Sequence, residues 1–361
     1  MKICPKCGYQ IPVDKVKFCY ECGYKFNEGG EAKSNPPSTN TYSDPFNYDI
    51  SLDDINTDTG SIFSGFDSGK NTSNNESSFD FSSLNIDNDK NDFEPNKPSK
   101  RATKISSYDD GEIDSGLEIK NGVLIRYKGK NKKVVIPSTV TKIADEAFYM
   151  NDYVEHVVVG TNVKEIGDEA FVEFKDLRAV SLPEGLKKIG RSAFAFNERL
   201  SIIDIPRSVT EIGENAFEDT GMRSVVIPKG VETISDEAFR VCKGLKTVTI
   251  SEGVKVIGSN AFELCRNLTQ ISLPSTLRVI EHGAFTGTAI SSITLPEGLC
   301  EIGSYVFFEC ASLKEIKIPK SVRRIEGDAF VSCTSLKKIY VPRHLNFDYE
   351  DSEIEADIIY Y

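Results

Sequence analysis

The 361-residue sequence contains no tryptophan and only three histidines, His156, His282 and His344. Each histidine lies in a different stretch, and none has an evident nucleophile or paired acid beside it. That spacing argues against Ser-His or Cys-His chemistry. Phosphate-binding loops, G-x-S-x-G elbows and H-E-x-x-H helices are all missing. The sequence thus offers no reaction, and the expectation is a protein that is not an enzyme and takes no small-molecule substrate. No run of 18 apolar residues occurs, which predicts no membrane span. The opening "MKICPKCGYQ" has no apolar core and no small-residue cleavage site, so no secretory signal is expected. The expected compartment is the cytoplasm, where thiols stay reduced.

Acid outweighs base, with a net charge of −12. The excess is uneven. Residues 1–26 carry five lysines against two acids, whereas residues 27–115 carry seven bases against eighteen acids. That middle stretch is rich in Ser, Asn and Asp and poor in aliphatics. It lacks the apolar area to offset about 1–2 kcal/mol of backbone entropy per ordered residue. Residues 27–115 are therefore expected to be a disordered acidic linker, dotted with Phe46, Phe63, Phe66, Phe79, Phe81 and Phe93.

From residue 116 onward one phrase repeats. Ala-Phe, once Val-Phe, ends at Phe148, Phe171, Phe194, Phe217, Phe239, Phe262, Phe285, Phe307 and Phe330. The spacing is constant, except that the steps after Phe217 and after Phe285 are each shorter by one. One unit, residues 245–267, shows the logic. Leu245, Val248 and Ile250 have the L-x-x-L-x-L spacing of a leucine-rich repeat strand. Val254 and Ile257 mark a second short strand. Ala261, Phe262 and Cys265 are spaced for a helical turn. These side chains cannot by themselves offset the entropy of ordering the whole unit, so it is stable only when stacked. The fold expected is a β-rich (α/β) leucine-rich repeat solenoid of nine to ten turns. At about 4.8 Å per strand its length is roughly 45 Å. Proline closes the first strand at Pro137, Pro183, Pro206, Pro228, Pro274, Pro296, Pro319 and Pro342. Three residues after Phe, a column of Cys242, Cys265, Cys310 and Cys333 alternates with Asn151, Asn197, Thr220 and Thr288, which fits a hydrogen-bonding ladder. "LEIKNGVLIRY" reads as a capping hairpin turning at Asn121-Gly122. The acidic C-terminal segment is expected to close the other end.

Cys4, Cys7, Cys19 and Cys22 form C-x2-C-x11-C-x2-C, each pair followed by glycine. Two such knuckles can hold one tetrahedral Zn²⁺ through four thiolates, with the metal supplying folding energy for residues 1–26. A closed site of this kind is structural. Iron of the rubredoxin type is the competing metal.

The periodic region resembles the BspA-like leucine-rich repeat family. The shared phrase is strand-Pro, Val-x-x-Ile-Gly, Ala-Phe, Cys or Asn, then Leu, recurring across about residues 117–342. The resemblance implies a solenoid used for protein interaction, and many family members are surface or adhesion proteins. Residues 1–26 resemble the short zinc ribbons found at the start of many bacterial proteins. The expected organisation is thus a zinc ribbon at 1–26, a linker at 27–115 and a capped solenoid at 116–361. The outward slots of the first strand supply the candidate partner face. In its middle stand Thr247, Thr249, Gln270, Ser272, Ser292 and Thr294, and at its C-terminal end Lys314, Lys317, Lys337, Lys338 and Tyr340. The expected partner is a protein. The alternatives are nucleic acid bound through the ribbon lysines and a cell-surface adhesin.

Overall fold

The structure, a computed structural model, describes residues 2–3, 10–11, 114–149, 151–345, 347 and 354–361. Cys4, Cys7, Cys19 and Cys22, the expected linker up to residue 113, and most of the acidic run at 346–353 lie outside the described residues. The chain divides into two units, Met1–Phe79 and Asp80–Tyr361. In the first unit, Lys2–Ile3 pairs antiparallel with Gln10–Ile11, so this strand pair brackets the first C-x2-C-G.

The second unit is a β-solenoid of about ten turns. Nearly every turn contributes a first strand and, a few residues on, a second strand of two residues. Within each sheet these pair in parallel with their equivalents one repeat away. In the first-strand layer Lys133–Val135, His156–Val158, Ala179–Ser181 and Ile202–Ile203 form one sheet. Ser224–Ile227, Thr247–Ile250 and Gln270–Ser272 form a second, and Glu315–Lys317, Lys338–Val341 and Asp357–Tyr360 a third. Repeat-length register keeps every apolar slot in line. The buried core accordingly includes Val248, Ile250, Val254, Ile257, Ala261, Phe262 and Cys265 of the unit at residues 245–267.

The segment around each Phe is not the helical turn that the Ala261–Cys265 spacing predicts. The described residues contain no α-helix, and the one 3₁₀ turn is Gly327–Phe330. Instead, the residues two before and two after Phe adopt left-handed backbone. Glu146, Glu169, Ser192, Asn215, Glu237, Asn260, Gly283 and Tyr305 do so before it. Glu173, Phe196, Asp219, Val241, Leu264, Gly287, Glu309 and Ser332 do so after it. Left-handed backbone costs a non-glycine residue about 1–2 kcal/mol. In return, N–H groups are turned toward the next rung. Glu237, Phe239 and Val241 donate to the carbonyls of Ser259, Ala261 and Glu263 at 2.7–2.9 Å. A helix would close those bonds within its own turn and leave the neighbouring rung unpaired.

The nine Phe rings are buried and stack in file. Successive centroids lie 4.6 Å apart at Phe148–Phe171 and 5.8 Å at Phe262–Phe285, the extremes of the column. Tyr127 begins the file and Phe347 closes it edge-on. Beside it the expected polar ladder is present. Asn197 Nδ2 donates to the carbonyls of Phe171 and Phe194, both at 2.7 Å. The thiols of Cys242, Cys265, Cys310 and Cys333 donate to Phe carbonyls of the preceding rung at 2.9–3.1 Å. Amide, hydroxyl and thiol therefore do the same work, satisfying carbonyls that the turn leaves buried.

Both strand layers break between the Phe217 and Phe239 rungs, at the first short step: Ile202–Ile203 does not pair with Ser224–Ile227, nor Glu211–Ile212 with Thr233–Ile234. The backbone ladder of the turns runs through, with Phe217 N donating to Ala238 O at 2.9 Å, and side chains cross with it, Cys242 to Phe217 O at 3.1 Å and Ser235 to Ile212 O at 2.6 Å. Arg240 staples this joint, reaching Glu218 at 2.8 Å and Glu263 at 2.7 Å. The second short step, after Phe285, interrupts only the first-strand layer. There residues 291–295 form no strand, while Val279–Ile280 still pairs with Glu301–Ile302. The hairpin Leu117–Lys120 and Val123–Tyr127 caps the N-terminal end, turning at Asn121 (φ 52°) and Gly122 (φ 76°) as expected.

Candidate functional surface

The first-strand layer places the sequence-predicted residues in two columns. Backbone register sets Thr247 opposite Gln270 and Thr249 opposite Ser272. It likewise sets Glu315 opposite Lys338 and Lys317 opposite Tyr340. Alternation along a strand turns these side chains outward while Val248, Ile316 and Ile339 point into the core. Gln270, Ser272, Ser292, Thr294, Lys314, Lys317, Lys337 and Lys338 are exposed, and Thr247, Thr249 and Tyr340 half-buried. Ser292 and Thr294 lie in the rung that forms no first strand.

The face changes character along its length. In its N-terminal half Val135, Ile202 and Val226 are 38%, 42% and 55% exposed. The middle is uncharged and hydroxylic. The last two rungs are basic. The C-terminal strand, Asp357–Tyr360, extends this sheet in parallel and sets Asp357 beside Lys338. Tyr361 then reaches back across the sheet. Its hydroxyl donates to Ile318 O at 2.7 Å, and its ring lies 4.8 Å from Lys317 Nζ and 5.6 Å from Lys320 Nζ. Sequence reasoning expects a cap here but not a strand. The available signal is the alternation in "EADIIYY". It is hidden because Ile358, the partner of Ile339, follows it by less than one repeat length.

Among the described residues, the histidines and cysteines outside this face are placed as follows. His156 is half-buried on the first strand, with burial pushing its pKa below the usual histidine value. His344 shares a hydrogen bond with Val322 O at 3.1 Å. His282 corrects the expectation of no nearby nucleophile: its Nδ1 lies 2.7 Å from Ser304 Oγ. The two occupy equivalent slots on adjacent rungs, so stacking alone brings them together. The pair is exposed, and among the described residues no carboxylate orients the ring's other nitrogen. The thiols of Cys310 and Cys333 are poor nucleophiles, because burial pushes Cys310 up to about 11 and Cys333 up to about 12. Among the described residues no group of three or more His, Cys, Asp or Glu side chains is placed to hold a metal ion, and no helix is long and apolar enough to cross a membrane. A shallow open groove of about 540 Å³ lies at the joint. Its charged lining is Lys188 and Arg191 against Asp168, Glu211, Glu214 and Glu232, so acid outweighs base.

Solved structures similar to this chain include a leucine-rich repeat protein from Bacteroides ovatus. It is 24% identical, with 66% of this chain and 71% of that one covered and a TM-score of 0.49. A leucine-rich cell surface protein from Faecalibacterium prausnitzii is 28% identical over 66% and 72%, with a TM-score of 0.45. The pneumococcal vaccine antigen PcpA is 21% identical over 64% and 79%, with a TM-score of 0.37. No curated protein matches. The family model described as "BspA type leucine rich repeat region (6 copies)" matches residues 124–246 and 232–351, which together span most of the solenoid. With the Phe file, the paired strand layers and this match in agreement, the chain belongs to the BspA-type leucine-rich repeat family.

Proposed function

We propose that the protein is a non-enzymatic interaction protein that presents its first-strand face to a protein partner. The observation that carries this is the pair of in-register outward columns. From Ser224 to Ser272 they stay accessible and almost free of charge, which suits a surface desolvated on binding. Repeat solenoids commonly use such extended faces for recognition. Affinity capture from the native lysate with full-length protein tests it. Thr249→Arg/Ser272→Arg should abolish retention of a partner that the wild type retains. Retention unchanged by the double variant would overturn the reading.

The ribbon is the second contact module. Cys4, Cys7, Cys19 and Cys22 would hold one structural Zn²⁺, and the antiparallel strand pair around the first C-x2-C-G supports a knuckle there. Metal analysis of purified protein should give one zinc per chain, lost on replacing Cys4 and Cys19 by Ser; iron or no metal would contradict this. The five lysines of residues 1–26 favour nucleic acid as an alternative ligand for this module, to be detected by a salt-steep gel shift. Membership of a family with many surface proteins favours the cell surface over the cytoplasm that the N-terminus predicts. Protease shaving of intact cells distinguishes the two: a surface protein is cleaved, a cytoplasmic one is spared.

A further inference from the structure

The basic charges on the C-terminal rungs form an ordered lattice. Lys314, Lys317 and Lys320 lie along one rung, and Lys337, Lys338, Tyr340 and Arg343 along the next. The two rungs are locked by parallel pairing, by Lys337 N donating to Lys314 O at 2.9 Å, and by the matched turns at Pro319 and Pro342. Rows about 5 Å apart, with Lys314, Lys317 and Lys320 roughly 10 Å apart along the first of them, follow from strand geometry. All six basic side chains are exposed.

Several bases elsewhere in the solenoid are neutralised rung to rung, as in Lys142–Glu165 at 3.0 Å, Lys188–Glu211 at 3.6 Å and Lys255–Glu232 at 2.9 Å. Among the described residues, Lys314, Lys317, Lys320, Lys337, Lys338 and Arg343 make no ion pair. Lys314 beside Lys337, and Lys320 beside Arg343, stack like charges on adjacent rungs, and an anion bridging each pair relieves that repulsion. Tyr361 adds order. Its ring packs against Lys317 and Lys320 and holds both ammonium groups toward the same side, which lowers the entropy lost when a ligand engages them.

We propose that these two rungs bind an acidic, extended segment of a protein partner, whose carboxylates bridge the Lys314–Lys317–Lys320 row and the Lys337–Lys338–Arg343 row. This rests on the strand-face reading above and adds the chemistry of the partner. Polypeptide is favoured over nucleic acid by the two acids within the lattice, Glu315 and Asp357, which flank Lys338 in register. A phosphate backbone, with a charge about every 1.7 Å of duplex, cannot avoid them. A polypeptide can place an uncharged residue there.

The test uses full-length protein and two fluorescent probes, a glutamate-rich peptide and a single-stranded oligonucleotide of equal charge. Wild type should bind the peptide, with affinity falling roughly tenfold between about 50 and 200 mM salt. Lys314→Gln/Lys317→Gln/Lys337→Gln/Lys338→Gln should weaken binding about tenfold or more, with its circular dichroism unchanged. Lys164→Gln/Lys187→Gln, exposed lysines beside the second strands, should stay within about twofold of wild type. Three results overturn the proposal: no peptide binding at low salt, equal loss in both variants, or oligonucleotide binding as tight as peptide binding. If the lysate partner is lost with Thr249→Arg/Ser272→Arg but kept by the quadruple variant, the strand-face reading stands and the acidic-segment inference fails.

Discussion

Phe262→Ala probes the principle that rungs are held by their neighbours. Phe262 is fully buried, with ring centroids 5.4 Å from Phe239 and 5.8 Å from Phe285. Truncating a buried Phe costs about 3–5 kcal/mol. Each stacked ring contact contributes about 0.5–1.5 kcal/mol of that. Phe262 has two such contacts and sits amid rungs that cannot collapse, because backbone bonds fix the spacing, so the loss should fall near the top of the range. Phe262→Leu keeps most of the buried area but forfeits both ring contacts, and should cost about 1–3 kcal/mol. Position matters as well. In a one-dimensional array a weakened central rung uncouples both sides, whereas a weakened terminal rung only frays. Phe330→Ala, next to the closing Phe347, should therefore lower the urea midpoint less than Phe262→Ala. Urea titration followed by circular dichroism measures all three variants. A loss below about 1 kcal/mol for Phe262→Ala, or a larger loss for Phe330→Ala, would refute the nearest-neighbour account.

Arg240→Met should destabilise the protein by about 2–3 kcal/mol, because it takes the paired cation from Glu218, whose side chain is 9% exposed, and leaves it the Asn215 amide at 2.9 Å. Amide exchange should speed up first at the joint between the Phe217 and Phe239 rungs, and unchanged exchange there would count against the staple. Val241 and Gly287 occupy the same left-handed slot, at φ 58° and 68°. Val241→Gly should be neutral or stabilising by up to about 1 kcal/mol, and Gly287→Val should cost about 1–2 kcal/mol by thermal melting. Burial raises the Glu281 carboxyl above its ordinary 4.5, so the folded state holds that proton more tightly than the unfolded state does. Ionisation of Glu281 therefore costs stability at neutral pH, and the cost disappears once the pH falls below 4.5. Glu281→Gln should show a higher urea midpoint than wild type at neutral pH and an equal one below 4.5.

The solenoid is legible in the sequence because its determinants are periodic. Apolar slots, prolines and Phe recur at the repeat length, and Asn121-Gly122 is a turn signal in itself. The turns around Phe read wrongly as helical because their left-handed positions hold good helix formers such as Glu146, Glu237 and Leu264, where glycine or asparagine would be the cue. There the ladder to the next rung overrides local preference. The two short steps are visible in the sequence, but not their unequal effect on the strand layers. That effect depends on how far the deletion after Phe217 displaces both strands and the one after Phe285 only the first. The columns of the candidate face follow directly from register. Tyr361 could not be anticipated on that face, because the strand that delivers it pairs out of the repeat period.

The claim that the first-strand face is the binding surface can be tested most directly by site-specific photo-crosslinking of the full-length protein in its native cells. The photoreactive residue is placed in turn at Ser272, exposed on that face, and at Lys187, exposed beside the second strands. The account predicts a discrete protein adduct from Ser272 and none from Lys187. Adducts from Lys187 alone, or adducts at Ser272 that vanish on nuclease treatment, would contradict it.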